Sequence, residues 1–217
     1  MKKKATHHAL RILITDDHAV TRLGIRQLLQ EAFPRAVFGE AADAGATFQQ
    51  LEARRWDLLI LDVSLPGRDG FEVLHEIRQR QAPVPVLMFS VHPEDQFALR
   101  AIKGGAAGYL AKERAPEELA QAVRTVLAGG TYLPPVLAAR LGAAHGATLM
   151  LPHERLSGRE FAVLRLLATG LTGKEIAAQL NVNQKTVSTY RSRLLAKLQL
   201  TSTAALIRYA TDNRLLR

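Results

Sequence analysis

The sequence predicts an α/β domain followed by a small all-α domain. Three observations carry that prediction. Over the first 130 residues, short apolar runs alternate five times with segments of helical spacing; over 129–153 the composition turns to Gly and Pro; from Leu156 onward only helical spacing remains. Five strands alternating with five helices imply parallel βαβ units, and so a five-stranded, doubly wound sheet with helices on both faces.

The strands read at 10–15, 36–40, 57–62, 84–90 and 107–111, and the helices between them at 20–32, 44–53, 71–80, 93–104 and 116–128. Leu58–Leu61 and Val86–Phe89 are apolar throughout, as strands covered on both faces should be. Pro34, Pro66 and Pro83 fall between elements, where a missing N–H costs least. The Gly- and Pro-rich stretch sets domains at 10–128 and 152–217, with a linker at 129–151 and one short helix expected around 136–141.

The C-terminal domain reads as four helices. Ser157-Gly158-Arg159-Glu160 and Thr172-Gly173-Lys174-Glu175 each precede an apolar periodic run. In both, the hydroxyl can accept from the N3 amide while the Glu reaches back to the N-cap amide. Asn181-Val182-Asn183 makes a short turn, a third helix runs over 184–198, and a fourth follows Ser202 over about 204–213. A short helix, a three-residue turn and a longer polar helix make a helix-turn-helix pattern. An ordinary small helical bundle is the plainer alternative.

Composition narrows the function. The 217 residues include no Cys, which excludes disulfides, thiolate nucleophiles and Cys-ligated zinc. No apolar run approaches the roughly 18 residues of a membrane span. Met1-Lys2-Lys3-Lys4 is basic, but the apolar stretch behind it, Leu10–Ile14, is short and broken by Arg11. A secretory segment is longer, so a soluble cytoplasmic protein without a membrane partner is expected. The net charge is +9 and unevenly spread: residues 1–130 hold 17 basic and 16 acidic residues, whereas 131–217 hold 12 and 4. That asymmetry suggests an acidic partner for the C-terminal part, nucleic acid first, against a basic surface with no partner.

In an open parallel sheet, ligands bind at the carboxyl ends of the strands. The first strand runs into Asp16-Asp17, the third ends at Asp62, the fourth at Ser90, and the fifth runs into Lys112. Each has a plain explanation alone: Asp16 or Asp17 could cap the next helix, and Lys112 could be a surface lysine. Together they form a chemical set. Three carboxylates held close repel one another, and an oxygen-preferring dication such as Mg²⁺ relieves that cost. A carboxylate beside such a cation can attack a phosphoryl donor. Lys112 would pair with a phosphoryl oxygen and the Ser90 hydroxyl would bond another. His7, His8, His75, His145 and His153 fall in helices, tail or linker, where surface histidine is the default.

The N-terminal part resembles the receiver domain of two-component response regulators. The resemblance rests on Asp16-Asp17, on Asp62 within Leu-Asp-Val-Ser-Leu-Pro66-Gly67, on Ser90, and on Gly108-Tyr109-Leu110-Ala111-Lys112. The C-terminal part resembles the LuxR-type helix-turn-helix through Leu-Ser157-Gly-Arg-Glu160, Lys174-Glu175-Ile176-Ala177 and Lys185-Thr186-Val187-Ser188-Thr189-Tyr190-Arg191. Together they resemble the NarL/FixJ family, over about 10–128 and 152–217. The resemblance implies a flavodoxin-like receiver whose Asp62 accepts phosphate from a sensor histidine kinase. Asp16, Asp17, Asp62 and the Ser64 carbonyl would hold Mg²⁺. Ser90 and Lys112 would sense the phosphoryl group, and Tyr109 would turn inward when Ser90 moves. It implies a homodimer reading inverted half-sites of double-stranded DNA, paired through the fourth helix. Glu113 stands where many receivers have proline, and Asn183 where serine is usual; either residue can cap.

On a helical wheel, Val187, Leu194, Leu195 and Leu198 of the third helix face the core, and Lys185, Thr189, Ser192, Arg193 and Ala196 face away. The short Ser188, Thr189 and Ser192 would let that face sit deep in a major groove. Lys174, Lys185 and Arg193 would hold phosphates. Arg191 falls on the apolar side, its stem on the core and its head snorkelling to the duplex. Thr186 and Tyr190 complete the expected DNA-contact set.

Other classes remain in view. A haloacid-dehalogenase-type phosphohydrolase acting through Asp62 wants a second carboxylate two residues on, where this chain has Ser64. A basic domain binding RNA or protein is disfavoured by the helix-turn-helix spacing. A regulator working without phosphate is disfavoured by the intact Asp16, Asp17, Asp62, Ser90 and Lys112. The expectation is a DNA-binding regulator, not a metabolic enzyme.

Overall fold

The structure is a computed structural model that describes residues 9–91, 94–133, 152–213 and 215. The helix expected around 136–141 lies outside the described residues, as do His7, His8 and His145. The chain divides into two compact units, residues 1–146 and 147–217.

In the first unit, β1 (Arg11–Thr15), α1 (Ala19–Ala32), β2 (Val37–Ala41), α2 (Ala44–Ala53), β3 (Leu58–Asp62), α3 (Gly70–Gln79), β4 (Val86–Ser90), α4 (Glu94–Lys103), β5 (Gly108–Ala111) and α5 (Ala115–Leu127) follow one another. The sheet is parallel, in the order β2-β1-β3-β4-β5. The central strands β3 and β4 are buried at every position, which is why their sequences show no polar alternation. Ile12, Ile14, Leu58, Ile60, Leu87, Phe89 and Leu110 pack with Ile25 and Leu29 of α1 and with Leu119, Ala122 and Val123 of α5. Asp43 and Asp69 cap α2 and α3 by accepting from Ala46 and Glu72 N–H, each satisfying a backbone donor that the helix leaves free.

Just beyond α5, Tyr132 pairs with the sheet. The Tyr109 N–H donates to the Tyr132 carbonyl and the Tyr132 N–H to the Ala107 carbonyl, both at 3.0 Å. Tyr132 therefore covers the edge that β5 would otherwise present unpaired.

The second unit holds α6 (Gly158–Ala168), α7 (Gly173–Gln179), α8 (Gln184–Leu198) and α9 (Thr203–Asp212), after a short 3₁₀ turn at Pro152–Arg155. Both predicted capping boxes form, at Ser157/Glu160 and at Thr172/Glu175. Phe161, Val163, Leu164, Ile176, Val187, Leu194, Leu198, Leu206 and Ala210 make the core. The turn between α7 and α8 passes through Asn181 at φ 52°, a left-handed conformation that asparagine tolerates better than most residues. His153 departs from the expectation of a surface histidine. It is buried, and its Nδ1 lies 2.9 Å from the Tyr209 hydroxyl; a ring that fills a gap under α9 with its polar atom paired has no need of solvent.

Candidate functional site

Because all five strands run the same way, their carboxyl ends share one edge. The register places Thr15 beside Leu61, Asp62 beside Phe89, and Ser90 beside Ala111. Asp16, Asp62, Ser90 and Lys112, far apart in sequence, thus meet at that edge. Asp16, Asp62 and Ser90 are buried. The Lys112 ammonium donates to Asp16 Oδ2 at 2.6 Å and sits 3.0 Å from Asp62 Oδ2. The second contact is an ion pair, and the Ser64 backbone also bonds the Asp62 carboxylate.

That arrangement tunes the charges. Burial drives the Asp62 carboxyl above its ordinary pKa; the Lys112 charge opposes this and the Asp16 charge adds to it. For Lys112, burial pulls toward the neutral form, but the Asp62 and Asp16 carboxylates outweigh it and raise the ammonium's pKa. One cation therefore serves two buried carboxylates.

Asp16 and Asp17 do not cap α1. The N-cap is His18, whose side chain makes no capping hydrogen bond, while Asp16 Oδ1 accepts from the His18 N–H at 2.8 Å. Asp16, Asp17, His18 and Asp62 each offer one donor atom, all within 4.8 Å of one another. Two buried carboxylates beside a third, on a set rich in oxygen ligands, fit a divalent cation. Ser64 follows two residues past Asp62, half-buried at the rim. Tyr109 on β5 is fully buried.

Sequence reasoning missed three supports. Arg22 of α1 donates to the Asp16 carbonyl at 2.7 Å and to Glu40 at 2.9 Å, fixing the end of β1. Gly70 lets α3 start against the backbone of Asp62, where a Cβ would stand 2.2 Å from the Asp62 carbonyl oxygen. His18 reaches back to the acidic pair. Arg22 and Gly70 carried no local signal, since their partners come from other segments. The sequence of His18 did place it next to Asp17, and that adjacency was the clue.

In the second unit, Lys174, Lys185, Ser188, Thr189, Arg191, Ser192 and Arg193 are exposed, while Thr186 and Tyr190 are half-buried. Arg191 departs from the wheel. The buried stripe of α8 is limited to Val187, Leu194 and Leu198, and Arg191 stays in solvent, where its guanidinium keeps its hydration. Asn183 caps α8 by accepting from the Thr186 N–H at 2.7 Å. The hydroxyls of Ser188, Thr189 and Ser192 donate to the carbonyls of Gln184, Lys185 and Ser188. Their outward lone pairs are left to accept. Glu160, buried in the capping box of α6, also accepts from Lys197 of α8 at 2.7 Å, pinning the angle between the two helices.

Fold and site together define a two-domain regulator, an acidic-edged α/β domain joined to a basic helix-turn-helix. Family profiles agree: the response regulator receiver domain matches residues 12–124, and the luxR family of bacterial regulatory proteins matches 154–210. The response regulator UvrY of Escherichia coli is 33% identical over 193 residues, 88% of each chain. The virulence factors putative positive transcription regulator BvgA of Bordetella pertussis is 37% identical over 210 residues, 94% of this chain and 98% of that one. Among solved structures, RcsB of Salmonella enterica serovar Typhimurium, bound to promoter rprA in the presence of phosphomimetic BeF₃⁻, matches with a TM-score of 0.59 at 26% identity, covering 94% of this chain and 99% of that one. The chain belongs to the response regulators that join a receiver domain to a LuxR-type helix-turn-helix domain.

Proposed function

We propose that this chain regulates transcription from the bacterial cytoplasm and that phosphorylation of Asp62 switches it. The observation that carries the reading is the Asp62 carboxylate, buried at the end of β3 and 3.0 Å from the Lys112 ammonium. A carboxylate oxygen of Asp62 attacks the phosphorus of a phosphohistidine on a sensor kinase; the new O–P bond replaces the P–N bond, and the imidazole leaves. Asp16, Asp17, Asp62 and the Ser64 carbonyl would hold Mg²⁺, which when bound supplies charge neutralisation of the transferring group. Lys112 balances the added charge, and the Ser90 hydroxyl, at the adjacent strand end, turns to a phosphoryl oxygen.

Those contacts exist only in the phosphorylated state, and this difference moves the equilibrium. A full swing from 1:99 to 99:1 needs about 5.5 kcal/mol of differential stabilisation, within reach of a few charge-assisted hydrogen bonds. The output domain, taken as 152–217 beyond a linker at 129–151, then binds double-stranded DNA as a homodimer on inverted half-sites. RcsB bound to promoter DNA supports that partner. In this reading Thr186, Ser188, Thr189, Tyr190 and Ser192 line the groove, and Lys174, Lys185, Arg191 and Arg193 hold phosphates.

The test is Asp62→Asn. The variant should fold, by circular dichroism, and incorporate no acid-labile phosphate from a small-molecule phosphodonor with Mg²⁺. Equal incorporation would move the acceptor to another carboxylate.

A further inference from the structure

The chain leaves α5 through a tight reversal. Gly129, at φ 81°, and Gly130 fold back on the helix, their N–H groups donating to the Val126 and Thr125 carbonyls at 3.0 Å. Two residues later Tyr132 is fixed at three points. Its N–H and its carbonyl bond Ala107 and Tyr109, on either side of Gly108. Its hydroxyl donates to Glu118 Oε2 of α5 at 2.5 Å. The approach is close enough to require glycine: a Cβ on Gly108 would stand 2.9 Å from the Tyr132 carbonyl oxygen and 3.0 Å from the Tyr132 Cβ. Glu118 also accepts from Arg114, the last residue of the 3₁₀ turn Lys112–Arg114. Lys112, at the other end of that turn, is the cation of the acceptor site. A path of contacts thus runs from Asp62 through this turn and Glu118 to the residue at which the chain leaves the receiver, and β5 provides a second path along its main chain.

We propose that Tyr132 is a latch between the phosphorylation site and the output domain. Closed, it holds the root of the linker on β5 and keeps DNA affinity low; phosphorylation of Asp62 opens it. A one-residue bridge belongs to the low-stability end of a fold, so a small change at Lys112 shifts it between closed and open. Phosphorylation supplies that change, because the Lys112 ammonium leaves Asp16 for the phosphoryl oxygens and the turn that carries Arg114 goes with it. Two output domains must take up symmetric positions on the half-sites of a duplex, and a linker held at its root limits the positions that each can reach. The inference rests on the proposed switch at Asp62 and deepens it, by naming the residue through which the switch reaches the linker.

The full chain is compared with and without BeF₃⁻ and Mg²⁺, the phosphomimetic standing for the phosphoryl group. Affinity is read by fluorescence anisotropy on a duplex that the BeF₃⁻-loaded parent selects from a randomised pool. Tyr132→Phe, which loses only the bond to Glu118, should bind that duplex about fivefold tighter without BeF₃⁻, the worth of one ordinary hydrogen bond, and no tighter with it. Its uptake of phosphate from a small-molecule donor should equal the parent's, since the latch lies downstream of the chemistry. Gly108→Ala, which presses on the Tyr132 carbonyl, should act in the same direction. Hydrogen exchange gives a second readout: the Tyr109 and Tyr132 amides of the parent should exchange faster with BeF₃⁻ than without it. Unchanged exchange at both amides, or an unchanged affinity ratio in Tyr132→Phe, would overturn the latch and leave Tyr132 as a cover for the sheet edge. If BeF₃⁻ leaves the parent's affinity unaltered, the switch at Asp62 falls instead, and the latch with it.

Discussion

A methyl group on Gly70 would meet the carbonyl oxygen of Asp62 at 2.2 Å and the Val63 backbone at 3.0 Å. No rotamer can relieve that overlap, because both neighbours are main chain. Either α3 or the end of β3 must shift, and Asp62 moves with β3. Gly70→Ala is therefore expected to cost about 1–3 kcal/mol, the usual range for overpacking, read as a lower urea midpoint at unchanged slope. Phosphate uptake at Asp62 should slow as well. An unchanged midpoint would show that the loop at 63–69 absorbs the change. That the first turn of α3 lies against the acceptor does not follow from the local sequence. His18 and Arg22 teach the same point, since each acts on Asp16 or Asp17 through a geometry that only the folded end of β1 provides.

At the level of elements, capping carries much of the second unit. The Thr172 N–H and hydroxyl both donate to the Glu175 carboxylate at 2.7 Å, and these bonds hold its pKa below the ordinary 4.5. A carboxylate with a depressed folded pKa contributes stability fully above its unfolded pKa and loses it as pH falls through the folded value. Glu175→Ala should lower the Tm at pH 7, and the gap to the parent should close as the pH drops below about 4.5. A gap independent of pH would assign the effect to something other than the charged box. Both boxes were legible because the motif is local, spanning four residues. The Glu160–Lys197 bridge was not, because it joins α6 to α8 across 37 positions. Gln199 ends α8 in a left-handed conformation at φ 56°, a place where glycine or asparagine gives the usual sequence signal.

For the whole molecule, charge is the organising quantity. Residues 131–217 carry 12 basic and 4 acidic residues against 17 and 16 in residues 1–130. Duplex affinity should fall linearly with salt on logarithmic axes, by about 0.9 for each phosphate neutralised. Arg193→Ala should weaken binding to unrelated duplexes alike and flatten that slope by about one contact, whereas Thr189→Ala should change discrimination between sequences and leave the slope alone. Fluorescence anisotropy across a salt series separates the two. A slope indifferent to Arg193 would remove it from the phosphate-holding set.

Strand positions, the two capping boxes, the split in charge and the helix-turn-helix spacing were determined by the sequence alone, because each is written within a few consecutive residues or in a simple period. The parallel sheet was implied by alternation, and with it the gathering of Asp16, Asp62, Ser90 and Lys112 at one edge. Only the tertiary structure decided how those groups share charge, with one ammonium between two buried carboxylates. It alone decided that Tyr109 is buried, that Tyr132 closes the sheet edge, and that His18 turns toward the aspartates. The reason is physical: burial and pairing depend on which distant segments supply the surrounding atoms, and no local pattern encodes that.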